Sequence, residues 1–201
     1  MKRFDLIYAM GCSFVQGSEL NGQLFGHLPQ PKVENRFTDV LSEKTNIPFV
    51  NEAVGGAGND KIIRKTFDFV DESKGRSLLV ILGLTEITRN ELWSPKKNKY
   101  LKLNFPHGRS MFQNKGLTKM EEYACWNSYR TYMKKFYTES KWIEKLGRDL
   151  KMLESFIKQK NPNSELLLFS SLCRGVNHFE KKLNFVRFNK LGETWAQYNK
   201  R

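Results

Sequence analysis

Apolar residues along this chain follow two periods. Phe4 to Met10, Ile47 to Val50, Ser77 to Gly83 and Glu165 to Phe169 are short, nearly continuous apolar runs. Glycine, serine or asparagine ends or closely follows each of them, and such bounded runs predict buried strands. Between them apolar residues recur at helical spacing: Phe37, Val40 and Leu41, then Ile62, Ile63, Phe67 and Val70. Two further stripes follow, Tyr129, Tyr132, Met133, Phe136 and Tyr137, and then Ile143, Leu146, Leu150, Leu153 and Ile157. The second has steps of three and four, and it predicts a helix packed on the chain's own sheet rather than a coiled-coil seam. Asn59 or Asp60 is placed to cap the helix after the glycine-rich stretch 51–59, and Asn161, Pro162 and Asn163 stop the long one. Leu191 to Tyr198 reads as a terminal helix. Strands alternating with helices require crossovers, which predicts an α/β fold with a mostly parallel central sheet.

Two stretches break the pattern. Residues 21–35 carry Gly22, Gly26, Pro29, Pro31 and Asn35 and read as a surface loop. Residues 93–119 are rich in lysine, asparagine, glycine and proline, and predict an exposed, irregular basic insertion: a lid, a binding loop or a mobile segment. With 201 residues the chain suits a single domain, 1–201, that includes this insertion.

Charge adds a partner class. Lys and Arg number 34 against 21 Asp and Glu, a formal charge of +13, which attracts an acidic protein, nucleic acid or anionic lipid. Lys96, Lys97, Lys99 and Lys102 are the candidate binding cluster, although neither a nucleic-acid reader motif nor a phosphate loop accompanies them. Cys12, Cys125 and Cys173 lack disulfide-framework or zinc spacing, which fits a reducing cytoplasm. No His-Glu-x-x-His occurs among three scattered histidines, so no metal and no cofactor is expected. The N-terminal apolar run is too short for a membrane span.

Candidate chemistry lies in the loops after the strands. In Gly11-Cys12-Ser13-Phe14-Val15-Gln16-Gly17 a serine follows a buried strand, at the sheet edge where open α/β folds bind ligands; a helix cap is the alternative role for it. Together with Asn51, Ala53, Gly56 and Asn59, and with Gly83-Leu84-Thr85-Glu86, this pattern resembles the SGNH (GDSL-type) hydrolases, in particular SGNH-like proteins of large tailed bacteriophages. The resemblance runs from Gly11 to Ala196 and implies a three-layer sandwich of flavodoxin-like topology. It implies Ser13 as nucleophile, with the N–H groups of Ser13 and Gly56 as oxyanion donors. Thr85 stands where the family has an asparagine and offers a hydroxyl instead. Gly11, Asn51, Asn59, Arg89 and Glu91 complete the pattern.

The acid–base block departs from the family. Asn189 and Gly192 keep its spacing, but Phe185 stands for the aspartate, Arg187 for the histidine and Phe188 for the proline. Of His27, His107 and His178, the last is the best candidate for a replacement base. A serine without a base is a poor nucleophile. The chain is therefore expected to be a degenerate SGNH-like protein that binds a partner, such as an acidic host or phage protein in an infected bacterial cell. The alternatives are a serine esterase or deacetylase with a non-standard base, and a basic nucleic-acid-binding protein.

Overall fold

A computed structural model describes residues 4–17, 36–104 and 117–171, together with the strand 185–186. The strands are β1 (Leu6–Met10), β2 (Phe49–Asn51), β3 (Leu78–Leu84), β4 (Arg89–Ser94), β5 (Lys99–Asn104), β6 (Glu165–Ser170) and β7 (Phe185–Val186). The helices are α1 (Ser13–Gln16), α2 (Phe37–Thr45), α3 (Asn59–Glu72), α4 (Lys119–Phe136) and α5 (Glu139–Lys160). One sheet has the order β2-β1-β3-β6-β7, and all its neighbours are parallel. With the β4–β5 pair set aside, this is the flavodoxin-like strand order.

Strand side chains alternate between two helical layers. Leu6, Tyr8 and Met10 of β1, with Leu78, Val80, Leu82 and Leu84 of β3, face α3 and α5. Ile143, Leu146, Leu150, Leu153 and Ile157 all enter that core, so the heptad-like stripe of α5 packs on the chain's own sheet as expected. Ile7 and Ala9, with Ile81 and Phe169, face the opposite way toward Phe37 and Leu41 of α2. The result is a three-layer α/β sandwich.

Two glycines let α1 press onto this second face. A Cβ on Gly11 would lie 2.3 Å from Val15 Cγ2, and one on Gly83 would lie 2.4 Å from the same atom. Val15 thus occupies space that both strands leave open. The turn closes at Gly17, whose φ of 81° caps α1 in the left-handed region.

Residues 93–104 differ from the irregular insertion that their composition suggests. β4 and β5 form an antiparallel hairpin turned by a 3-10 segment at Pro95–Lys97 and by Asn98 at φ 47°. Leu101 and Leu103 are buried and alternate with Tyr100 and Lys102, while Leu92, paired with Leu101, is exposed. Residues 105–116 lie outside the described part.

The α4 stripe is only partly inward: Tyr129 and Met133 are buried on Leu103, whereas Tyr132 and Phe136 are exposed. Thr118 and Glu121 form a capping box at its start, with Glu121 N donating to Thr118 Oγ1 and Thr118 N donating back to Glu121 Oε2. No helix among the described residues is long and apolar enough to cross a membrane. Residues 21–35 and 191–198 lie outside the described part, so the surface loop and terminal helix read from the sequence fall there.

Candidate functional site at the carboxyl edge of the sheet

Because the sheet is parallel, Ser13, Gly56 and Thr85, each just beyond a strand, and Ser170, the last residue of β6, gather at one edge. Hydrogen bonds knit their loops together. Val54 N donates to Gly11 O at 3.1 Å, and Ser171 N donates to Leu84 O at 2.9 Å. Ser171 Oγ gives its only proton to Leu84 O at 2.7 Å. The Cys12 thiol, 3.4 Å from that hydroxyl, is therefore the donor between the two. Cys12, where the resembled family has aspartate, thereby links the β1 and β6 loops.

Ser13 is the first residue of α1 and is half-buried. Its side chain makes no capping bond, and the cap position belongs to Cys12. The glycine-rich loop is fastened beside it from two directions. Asn51 Nδ2 donates to Val15 O at 2.9 Å while Asn51 Oδ1 accepts from Ala53 N at 3.0 Å. Gly55 N donates to Gln16 Oε1 at 2.9 Å, one turn along α1 from Ser13. Gly56 follows with φ 72°, a left-handed conformation that favours glycine, and among the described residues nothing lies within 4 Å of where its Cβ would be.

Thr85 has a different setting. Neither Asn59 nor Asp60, the two expected helix caps, takes that place: Asn59 is the first residue of α3, and Gly58 is at the cap position. The Asn59 amide spans to the β3 end, donating to Thr85 O and accepting from Thr85 N, both at 3.0 Å. The Thr85 hydroxyl is buried and has no hydrogen-bond partner among the described residues. The residue as a whole is fully buried.

Arg89 and Glu91 hold the hairpin. Arg89 Nε lies 3.4 Å from Glu86 Oε2, and its carbonyl oxygen would be 2.4 Å from a Cβ on Gly58. The buried Glu91 carboxylate accepts from Arg64 at 2.8 Å, and the Arg64 guanidinium lies over the Tyr100 ring at 4.1 Å.

The four lysines of the expected binding cluster do not act as one patch. Lys96 and Lys97 pair with Glu121 at 3.1 and 3.5 Å. The Thr118 backbone N–H and then Lys96 hold the Glu121 carboxyl down at about 2. Lys99 lies opposite Ser94 on the hairpin. Lys102 turns inward and donates to Gly55 O at 3.1 Å, which ties the hairpin to the glycine-rich loop. Burial pushes the Lys102 ammonium down to about 8, with Lys61 adding to the shift and Glu91 opposing it.

Gln16 and Lys102, which flank Gly55, are the site-building residues that motif spacing does not reveal. His27, His107 and His178, together with Arg187 and Phe188, lie outside the described residues. Phe185 lies in β7, its backbone registered with Leu168 of β6.

No family model matches this chain. No curated protein matches it. Among solved structures it is similar to a phospholipase A1 from Streptomyces albidoflavus, at 12% identity over 83% of this chain and 59% of that one, with a TM-score of 0.37. It is also similar to an acetyl xylan esterase from the rumen bacterium Butyrivibrio proteoclasticus, at 12% identity over 90% of this chain and 54% of that one, with a TM-score of 0.45. A mutant of the esterase AlinE4 is similar at 12% identity over 92% of this chain and 77% of that one, also with a TM-score of 0.45. The chain thus spans under two thirds of the first two enzymes. Likeness at this level extends to no activity, substrate or site residue, and the α/β architecture rests on the chain's own sheet order.

Proposed function

We propose that this chain is an SGNH-type domain whose Ser13 edge serves recognition rather than efficient hydrolysis. In this reading Ser13 and Gly56 are the remnants of the nucleophile and oxyanion hole, and the target is a partner with acidic character, in keeping with the charge of +13. One observation carries it. Phe185, which stands where the family has its orienting carboxylate, is a strand position beside Leu168, and its side chain neither holds nor moves a proton. The buried Thr85 hydroxyl adds to this, because an oxyanion donor must point at the place where charge develops. A host or phage protein fits as the partner, and a nucleic acid is the competing anionic target.

The test is turnover of short-chain and acetylated-sugar esters by purified protein, Ser13→Ala and His178→Ala. Little serine-dependent turnover is expected. Efficient turnover lost in Ser13→Ala would overturn the reading, and an equal loss in His178→Ala would make His178 the base of an active esterase.

A further inference from the structure

The molecule has a second concave feature, apart from the serine edge. A cavity of about 550 Å³ opens between the first turn of α3, the hairpin, α4 and the start of α5. Leu103, Ala124, Cys125, Tyr132 and Trp142 supply much of its wall, and Ser13, Gly56 and Thr85 take no part in it. Protein interiors leave few voids larger than a water molecule, whereas small-molecule pockets span roughly 300–1,000 Å³.

Both carboxylates on the wall, with Asn90 and Tyr129, are already partnered, while Ser128, Tyr132 and Trp142 add three neutral hydrogen-bonding groups. Asn90 Nδ2 donates to Tyr129 Oη at 2.7 Å, and that hydroxyl donates to Thr88 O at 2.8 Å. Glu91 is paired with Arg64 at 2.8 Å and Asp60 with Lys145 at 3.2 Å. Both carboxylates are thus committed to cations of the chain itself, so the surface left to be covered is neutral and mostly apolar or aromatic, with the Ser128, Tyr132 and Trp142 polar groups as its few hydrogen-bonding points. Water gains few hydrogen bonds in such a space, and apolar guests displace it.

We propose that this cavity binds an uncharged, largely apolar small molecule. The inference does not rest on the reading of Ser13. Binding would also anchor α4, whose buried side chains are otherwise Tyr129 and Met133 set on Leu103 of the hairpin. Tyr132 of α4 and Trp142 of α5 already meet edge to face at 6.5 Å, and a guest on this wall would touch both helices.

The test uses the full chain and the neutral probe N-phenyl-1-naphthylamine, with Cys125 as a reporter because its thiol lines the cavity and is half-buried. Saturable one-to-one binding is expected. At ten times Kd, maleimide labelling of the Cys125 peptide should slow about tenfold. Ala124→Phe, which fills the cavity, should weaken binding while leaving the circular-dichroism spectrum unchanged. If that variant does not fold, Cys125 protection in the unaltered protein decides alone. Absence of saturable binding, binding that leaves Cys125 labelling unchanged, or one probe per dimer in sedimentation would each overturn the proposal.

Discussion

Asn59 grips Thr85 by both faces of one peptide segment, donating to its carbonyl and accepting from its N–H at 3.0 Å each. This joins the first residue of α3 to the end of β3, and both residues are buried. Asn59→Ala would strand a buried N–H and a buried C=O. Each such loss costs roughly 1–3 kcal/mol, so urea denaturation should show a destabilisation of about 2–4 kcal/mol. Unchanged stability would mean that the two elements are held without the clasp.

The Thr85 hydroxyl separates a structural from a ligand-binding role. It is buried and unbonded, and removing an unsatisfied buried polar group relieves a penalty of roughly 1–3 kcal/mol. Thr85→Val should therefore raise stability by about 1 kcal/mol, measured by the same denaturation. A loss of stability would show that the hydroxyl is satisfied in solution.

Lys102 gives the hairpin a pH signature. Its ammonium is pushed from the usual 10.5 down to about 8, first by burial and then by Lys61. The unfolded chain therefore binds more protons at this position between about 8 and 10.5, and the Lys102 contribution to stability rises with pH across that window. Lys61 is lowered too, while Tyr129 is raised to about 12 chiefly by burial, so the wild-type curve alone is composite. The difference between wild type and Lys102→Met isolates the lysine. Denaturation at pH 7, 8, 9 and 10 should show that difference shifting in favour of wild type as pH rises. Parallel curves would contradict the assignment.

The strands of the sheet and the α5 stripe were legible because burial on both sides of a parallel strand leaves continuous apolar runs, and one buried helix face leaves steps of three and four. β1, β3 and β6 lie where those runs are. The hairpin was not, although Leu101 and Leu103 carry the period of two. Lysines and Asn98 dominate that composition: Lys96 and Lys97 sit in the turn and pair with Glu121, and Asn98 supplies the left-handed turn residue. Asn59 misled for a related reason. An asparagine before a helix commonly caps it, but only the approach of the β3 end reveals a better use for the amide. Charge groups Lys102 with its neighbours, yet its ammonium reaches across to Gly55 O, a contact that only the fold brings about.

The central claim is that Ser13 retains its place at the carboxyl edge without the base that would activate it. Reaction of the full chain with a fluorophosphonate, followed by mass spectrometry of the Ser13 peptide, measures that activation directly, since a serine hydroxyl attacks phosphorus readily only when a neighbouring base takes its proton. The account predicts no modification of Ser13 beyond that of other surface serines over hours. Rapid, stoichiometric modification of Ser13, absent in Ser13→Ala, would contradict it.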